Sequence, residues 1–211
     1  MFDIEYKGGN TVVIATKKAK IATDPKLSLV GLKDANVKDA IELATEERFA
    51  LNSADAKIRI ECPGEYEVAD FSIRGVATRR HIDSAQDPKL ATIYRIEVGD
   101  VKIALLGNID PILTDDQLEL IGLIDIVILP VGGGGYTLDA TSAAQILRQL
   151  DTKVVIPIHY SDSGLKYEVP QDSLEVFTKE FGGEIETVAK YKVKSRSALP
   201  QVQTIVELTR S

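Results

Sequence analysis

The stretch from Asp125 to Tyr160, DIVILPVGGGGYTLDATSAAQILRQLDTKVVIPIHY, constrains the fold more than any other part of the chain. Asp125 to Leu129 is a short apolar, β-branched run closed by Pro130, which predicts a buried strand. Gly132 to Gly135 follow, then Tyr136, Thr137, Leu138 and Asp139. Asp139 or Thr141 is placed to cap a helix reaching Leu150, with Ala140, Ala143, Ala144, Ile146, Leu147 and Leu150 as its apolar stripe. Lys153 to Ile158 reads as a second buried strand, with His159 and Tyr160 at its end. Open α/β sheets bind ligands at such strand ends. The same pattern equally fits an ordinary βαβ unit whose glycines only make a turn.

The residues before this unit read mainly as strands. Asp3 to Tyr6 and Thr11 to Thr16 flank a hairpin turn at Gly8-Gly9-Asn10, and Lys20 to Thr23 follows as a third short strand ended by Asp24-Pro25. Residues 26 to 38 show no clean period. Asp39 to Phe49 is ambiguous: Ala40, Ile41, Leu43 and Ala44 fit a short strand, whereas its Ala, Glu and Leu favour a helix, the reading preferred here. Ala56 to Glu61, the segment after Cys62-Pro63-Gly64, and Phe71 to Ala77 continue the strands. Thr78 to Leu90 is a polar loop with Arg79, Arg80, His81 and Asp83. Thr92 to Val98 and Val101 to Leu106 form a hairpin across Gly99-Asp100. Thr114 or Asp115 caps a short helix ending at Leu120 or Ile121. After His159, a helix over 171–181 stops at Gly182-Gly183, and strands are expected at 186–193 and 203–208. This order of strands and helices predicts two packed sheets with helices outside, in one domain spanning 1–211.

Charge and residue counts narrow the function. A net charge of −7 argues against broad contact with nucleic acid or an anionic membrane. With Cys62 the only cysteine, neither an internal disulfide nor a cysteine-based zinc site can form, and beside a proline in a turn it reads as a small, partly buried residue. The opening MFDIEYKGG lacks the basic and apolar segments of a signal peptide, and no apolar run is long enough to span a bilayer. A cytoplasmic location follows as the expectation.

Polar groups gather in three loops: Thr78 to Asp83, Gly107 to Asp110, and Gly132 to Asp139 with His159. The histidines are only two, His81 and His159. With one or two carboxylates they could hold a single metal, whereas a bridged pair needs more ligands. Taken alone, each histidine equally fits a surface or supporting role. No G-x-S-x-G supports a serine nucleophile, and GGGG is neither a phosphate-binding loop with G-K-[ST] nor a dinucleotide fingerprint.

Four stretches together carry a family resemblance: Thr23-Asp24-Pro25, Cys62-Pro63-Gly64-Glu65-Tyr66-Glu67-Val68, Leu129-Pro130-Val131-Gly132-Gly133 with Tyr136-Thr137-Leu138-Asp139, and Ile156-Pro157-Ile158-His159-Tyr160. The chain resembles the metallo-β-lactamase-like hydrolases, in particular a subgroup of small bacterial Zn-dependent hydrolases. The resemblance implies an α/β, four-layer αββα sandwich of two mixed sheets. It also implies metal ligands, and here the chain departs from it. The stretch matching the family's H-x-H-x-D-H is Ala44 to Leu51, ATEERFAL, which has no histidine. His81 matches a loop histidine, Asn108 stands at the aspartate of a G-D pair, and His159 matches the last histidine.

An amide lacks the charge with which a carboxylate bridges two cations. The expectation is therefore a degenerate pocket, with Asp24, His81, Asn108, Asp110, Tyr136, Asp139 and His159 as its candidates and no resident cofactor. Such a protein would bind a small molecule or a partner protein without hydrolysis. The alternative is a hydrolase with one zinc or other divalent ion on His81, His159 and Asp24, Asp110 or Asp139. A third reading is assembly through an oligomeric interface, possible as a homo-oligomer. Asp139 as a helix cap and Tyr136 as loop packing are the structural readings of those two residues.

Overall fold

The computed structural model describes residues 1–81 and 90–211. Asp83 lies outside the described residues, as does most of the expected loop from Thr78 to Leu90. In chain order the strands are β1 (Phe2–Gly8), β2 (Thr11–Ala15), β3 (Lys20–Thr23), β4 (Ile41–Leu43), β5 (Ile58–Ile60), β6 (Gly64–Val68) and β7 (Phe71–Arg79). They continue as β8 (Leu90–Val98), β9 (Val101–Leu105), β10 (Ile126–Pro130), β11 (Val154–Ile158), β12 (Glu184–Val188), β13 (Tyr191–Val193) and β14 (Thr204–Leu208). The helices are α1 (Asp115–Ile121), α2 (Ala140–Leu150) and α3 (Leu174–Phe181).

Among the described residues the strands form two sheets, ordered β13-β1-β2-β3-β4-β5 and β12-β14-β11-β10-β9-β8-β7-β6. Both are mixed. β1, β2 and β3 pair antiparallel while β3, β4 and β5 run parallel; β12, β14, β11, β10 and β9 run parallel while β9 to β6 alternate. Ile4, Tyr6, Ile14 and Leu43 of the smaller sheet pack with Tyr94, Leu105, Ile128 and Ile156 of the larger one. The three helices cover the other face of the larger sheet through Ile121, Ile146, Leu147 and Phe177. Outside the smaller sheet, a 3-10 turn (Leu27–Val30) packs with Leu32, Ala35, Leu165 and Tyr167 as a small separate cluster. β10 and β11 are buried at every position, which is why their sequences run apolar instead of alternating.

Three sequence expectations need correction. Over Asp39 to Phe49 the preferred helix gives way to the short-strand alternative: the segment is β4 followed by a 3-10 turn at Glu47–Phe49. Ile41, Glu42 and Leu43 are all buried between β3 and β5, and sheet pairing overrides a weak helical propensity. The buried Glu42 carboxylate accepts backbone N–H groups of Leu51, Asn52 and Ser53 at 2.7, 2.7 and 3.1 Å. The expected single strand over 186–193 is two strands in opposite sheets, β12 and β13, and Lys190 between them pairs with Glu5 of β1. Cys62 is exposed, in the bend before β6, where its carbonyl accepts the Tyr66 hydroxyl. In addition, β7 runs through Thr78 and Arg79, which the sequence pattern placed in the loop.

Candidate functional site

The ends of β3, β4, β7, β9, β10 and β11 meet at one edge of the sandwich. Asp24, just past β3, has φ 42°, which turns its carboxylate back into the core. There it accepts the backbone N–H of Thr45 at 2.7 Å and the Thr45 hydroxyl at 2.6 Å. Burial pushes this carboxyl up to about 7, against the pull of the two Thr45 bonds. Asp24 is thus a buried strut that fixes the loop after β4.

That loop carries Glu46 and Arg48, two residues the search for histidines passed over. The Glu46 side chain is 4% exposed. Its Oε1 accepts Asn108 Nδ2 at 3.2 Å and Arg48 Nη2 at 3.4 Å. Its Oε2 lies 2.9 Å from Arg48 Nε and 3.5 Å from Arg80 Nη1. The Arg48 Nε contact is close but off the line a hydrogen bond needs, so its attraction is ionic. Burial raises the Glu46 carboxyl above its usual range, and Arg48, Arg80 and Asn108 oppose that shift. The Arg48 guanidinium carbon sits 4.5 Å from the Phe49 ring centroid and 4.6 Å from that of Tyr136.

Asn108 is fully buried after β9. Gly107 has φ 65°, and a Cβ on it would meet the Thr45 side chain at 2.8 Å, so glycine lets this turn close against the β4 loop. The Asn108 carbonyl accepts the backbone N–H of His81 at 2.9 Å. Asn108 Oδ1 and His81 Nδ1 are buried without a hydrogen-bond partner among the described residues. Burial favours neutral His81, against the pull of Asp139 and Asp110. Asp110 accepts the Ile112 N–H at 2.9 Å and Asp139 accepts the Ser142 N–H at 2.7 Å, so each carboxylate caps its own turn.

His159 follows β11 with φ 51° and is buried. Its Nδ1 lies 2.7 Å from Asn10 Oδ1, and its ring lies 4.7 Å from that of Tyr167 and 6.3 Å from that of Tyr136. Burial, helped by the charge of Arg48, pushes the imidazole down to about 3, so it is neutral. A Cβ on Gly132 would collide with the His159 carbonyl oxygen, so β10 can reach this corner only with glycine there.

Two spaces flank Arg48. A cleft of about 680 Å³ is lined by Thr45, Glu46, Arg48, Cys62, Arg80 and Thr92, among others. A pocket of about 30 Å³ lies at His159, against Phe49, Tyr136, Tyr167 and Gln171, with room for about one water. The structure therefore brings His81, Asn108 and Asp110 together on one side of Glu46. His159 and Tyr136 lie behind Arg48, Asp24 lies beneath Thr45, and Asp139 is at the α2 cap. Asn10, Thr45, Glu46, Arg48 and Arg80 were not among the sequence candidates. The alternating charges of Glu46 and Arg48 in the stretch matched to H-x-H-x-D-H were the signal available.

A dinuclear metal centre does not fit this donor set. Zinc takes thiolate, imidazole or carboxylate ligands. Among the described residues no group of three or more His, Cys, Asp or Glu side chains is placed to share an ion. The Glu46 carboxylate already pairs with arginine and Asn108 offers only an amide, while His159 gives its Nδ1–H to Asn10 and presents Nε2 alone as a lone-pair nitrogen.

Comparison with known proteins agrees with this architecture. A family model described as a β-lactamase superfamily domain matches residues 3–159. A UPF0173 protein of Pyrococcus furiosus is 31% identical over 130 residues, covering 61% of this chain and 56% of that protein. The match thus spans about half the length of that relative. A structure from Thermotoga maritima, provisionally assigned as a Zn-dependent hydrolase of the metallo-β-lactamase superfamily, superposes with a TM-score of 0.78 at 24% identity, over 99% of this chain and 100% of that one. Igni18, a metallo hydrolase of Ignicoccus hospitalis, gives 0.63 at 17% identity, over 92% and 99%. At these identities the structural matches establish the fold, and the family match extends over well more than half the sequence. This chain belongs to the β-lactamase superfamily and has the metallo-β-lactamase fold.

Proposed function

We propose that this chain is a non-hydrolytic member of its superfamily, binding a small molecule or a partner protein without a metal. The observation that carries this reading is the buried Glu46 carboxylate, paired with Arg48 and Arg80 where the family resemblance calls for metal-binding histidines. A metal-activated hydroxide needs an open coordination position on a held ion. Here a guanidinium takes up the carboxylate. The cleft beside Arg48 and Arg80 is the binding space, and its size suits a small molecule. The net charge of −7 supports partners other than nucleic acid. Among the described residues no helix is long and apolar enough to cross a membrane. The cytoplasmic location and a homo-oligomeric state belong to the same proposal. The test is hydrolysis of lactam, ester and phosphodiester probes in chelator and again in zinc or manganese. The reading expects rates equal to a buffer blank in every condition; metal-dependent turnover contradicts it.

A second reading keeps one divalent ion. It is favoured by His81 Nδ1 and Asn108 Oδ1, both buried without a partner among the described residues. It requires His159, oriented by its Nδ1–H bond to Asn10, to bring Nε2 to the same ion. Close to one equivalent of metal, lost in His159→Ala, would support it.

A further inference from the structure

We infer that the Arg48 guanidinium serves as the built-in cation of this site, doing for the strand-end loops what a metal ion does elsewhere in the fold. The inference rests on the metal-free reading above and adds a positioning role for one residue.

Arg48 belongs to the loop after β4, the segment in which the family resemblance looks for metal-binding histidines. Its partner Glu46 is 4% exposed and needs a counter-charge to remain ionised there. Around this pair the contacts spread outward. Glu46 accepts Asn108 Nδ2 from the turn after β9 and meets Arg80 after β7. The guanidinium carbon stands over the rings of Phe49 of its own loop and Tyr136 of the loop after β10. Through Tyr136 it stands next to His159, after β11, and its charge helps keep that imidazole neutral. One cation therefore touches the loops after β4 and β10, polarises Asp24 after β3 and His159 after β11, and is joined to the turns after β7 and β9 through Glu46. A lysine could supply charge, but not a delocalised cation that meets two rings and a carboxylate at once.

The test is thermal unfolding of the full chain as Arg48→Ala, Glu46→Gln and the double variant, each in chelator. Arg48→Ala is expected to lower the midpoint by about 4 °C or more, because it takes from a buried carboxylate the nearer of its two guanidinium partners. Methylguanidinium at tens of millimolar should recover at least half of that loss while leaving the wild type unshifted. Adding Glu46→Gln to Arg48→Ala should also recover part of it, since the buried charge left with too little compensation is then gone. A midpoint within about 1 °C of wild type, no recovery with methylguanidinium, or strictly additive losses overturns the inference. If Arg48→Ala does not fold, Arg48→Lys and Arg48→Met decide: equal losses in both mean that the charge of Arg48 does not hold the site. Failure of the metal-free reading would show separately, as metal in the wild-type protein.

Discussion

Thr45 gives Asp24 both of the hydrogen bonds it can donate, from its backbone N–H at 2.7 Å and its hydroxyl at 2.6 Å. This pair joins the end of β3 to the loop that holds Glu46 and Arg48. Thr45→Val keeps the shape but leaves Asp24 Oδ2 buried without that donor. The expected loss is about 1–3 kcal/mol, with a smaller loss for Thr45→Ser, read from urea unfolding midpoints. Equal losses in the two variants would show that the hydroxyl is not what matters.

Asp24 and His159 pull the pH dependence of stability in opposite directions. The folded Asp24 carboxyl titrates at about 7 against an ordinary 3.8, so the folded state holds a proton that the unfolded chain releases. Its contribution is fully present below about 3.8 and is lost as pH rises through about 7. His159 titrates at about 3 against an ordinary 6.5, so the unfolded chain takes a proton that the folded state refuses. Its contribution is present above about 6.5 and is lost as pH falls towards 3. Glu46, raised by burial, shares the sign of Asp24; His81, lowered by burial, shares that of His159. Between about 4 and 6.5 the effects oppose each other. Unfolding across that window should show Asp24→Asn losing stability on acidification more steeply than wild type. His159→Gln should instead lose stability as pH rises. Parallel profiles for the two variants would contradict this pairing.

Gly132→Ala places a methyl group on the His159 carbonyl, a backbone atom that cannot turn away. The expected cost is about 1–3 kcal/mol, as for an overpacked core, measured by chemical unfolding. Gly135→Ala is the control: nothing lies within 4 Å of its added Cβ, and its positive φ adds a backbone penalty that Gly132 does not carry. A Gly132→Ala loss no larger than that of Gly135→Ala would rule out the steric account.

Asp139 accepts the Ser142 N–H at the start of α2, so Asp139→Ala removes a helix cap. The expected cost is about 1 kcal/mol, with metal uptake unchanged. Loss of a bound ion in this variant would instead make Asp139 a ligand.

Much of the fold could be read locally. β10, α2 and β11 followed from buried apolar runs and from Asp139 at a cap position, signals that need no distant partner. Asp39 to Phe49 misled because its strand is made by β3 and β5, whose neighbourhood is not written in those eleven residues. The switch at Lys190 was hidden for a similar reason: two residues of turn send apolar β13 to the opposite sheet. In the site, the candidates were drawn to strand ends, and their roles divide in three dimensions. Asp24, Asp110 and Asp139 spend their carboxylates on backbone N–H groups. Asn10 looked like a turn residue and proves to hold His159. Arg48 became visible only once Tyr136, far along the chain, lay over it.

The most direct test is elemental metal analysis of protein purified without chelator, repeated after incubation with zinc and with manganese. With Glu46 held by arginine, the account predicts less than about a tenth of an equivalent before and after. One or two equivalents per chain, retained through gel filtration, would contradict it and return the site to metal chemistry.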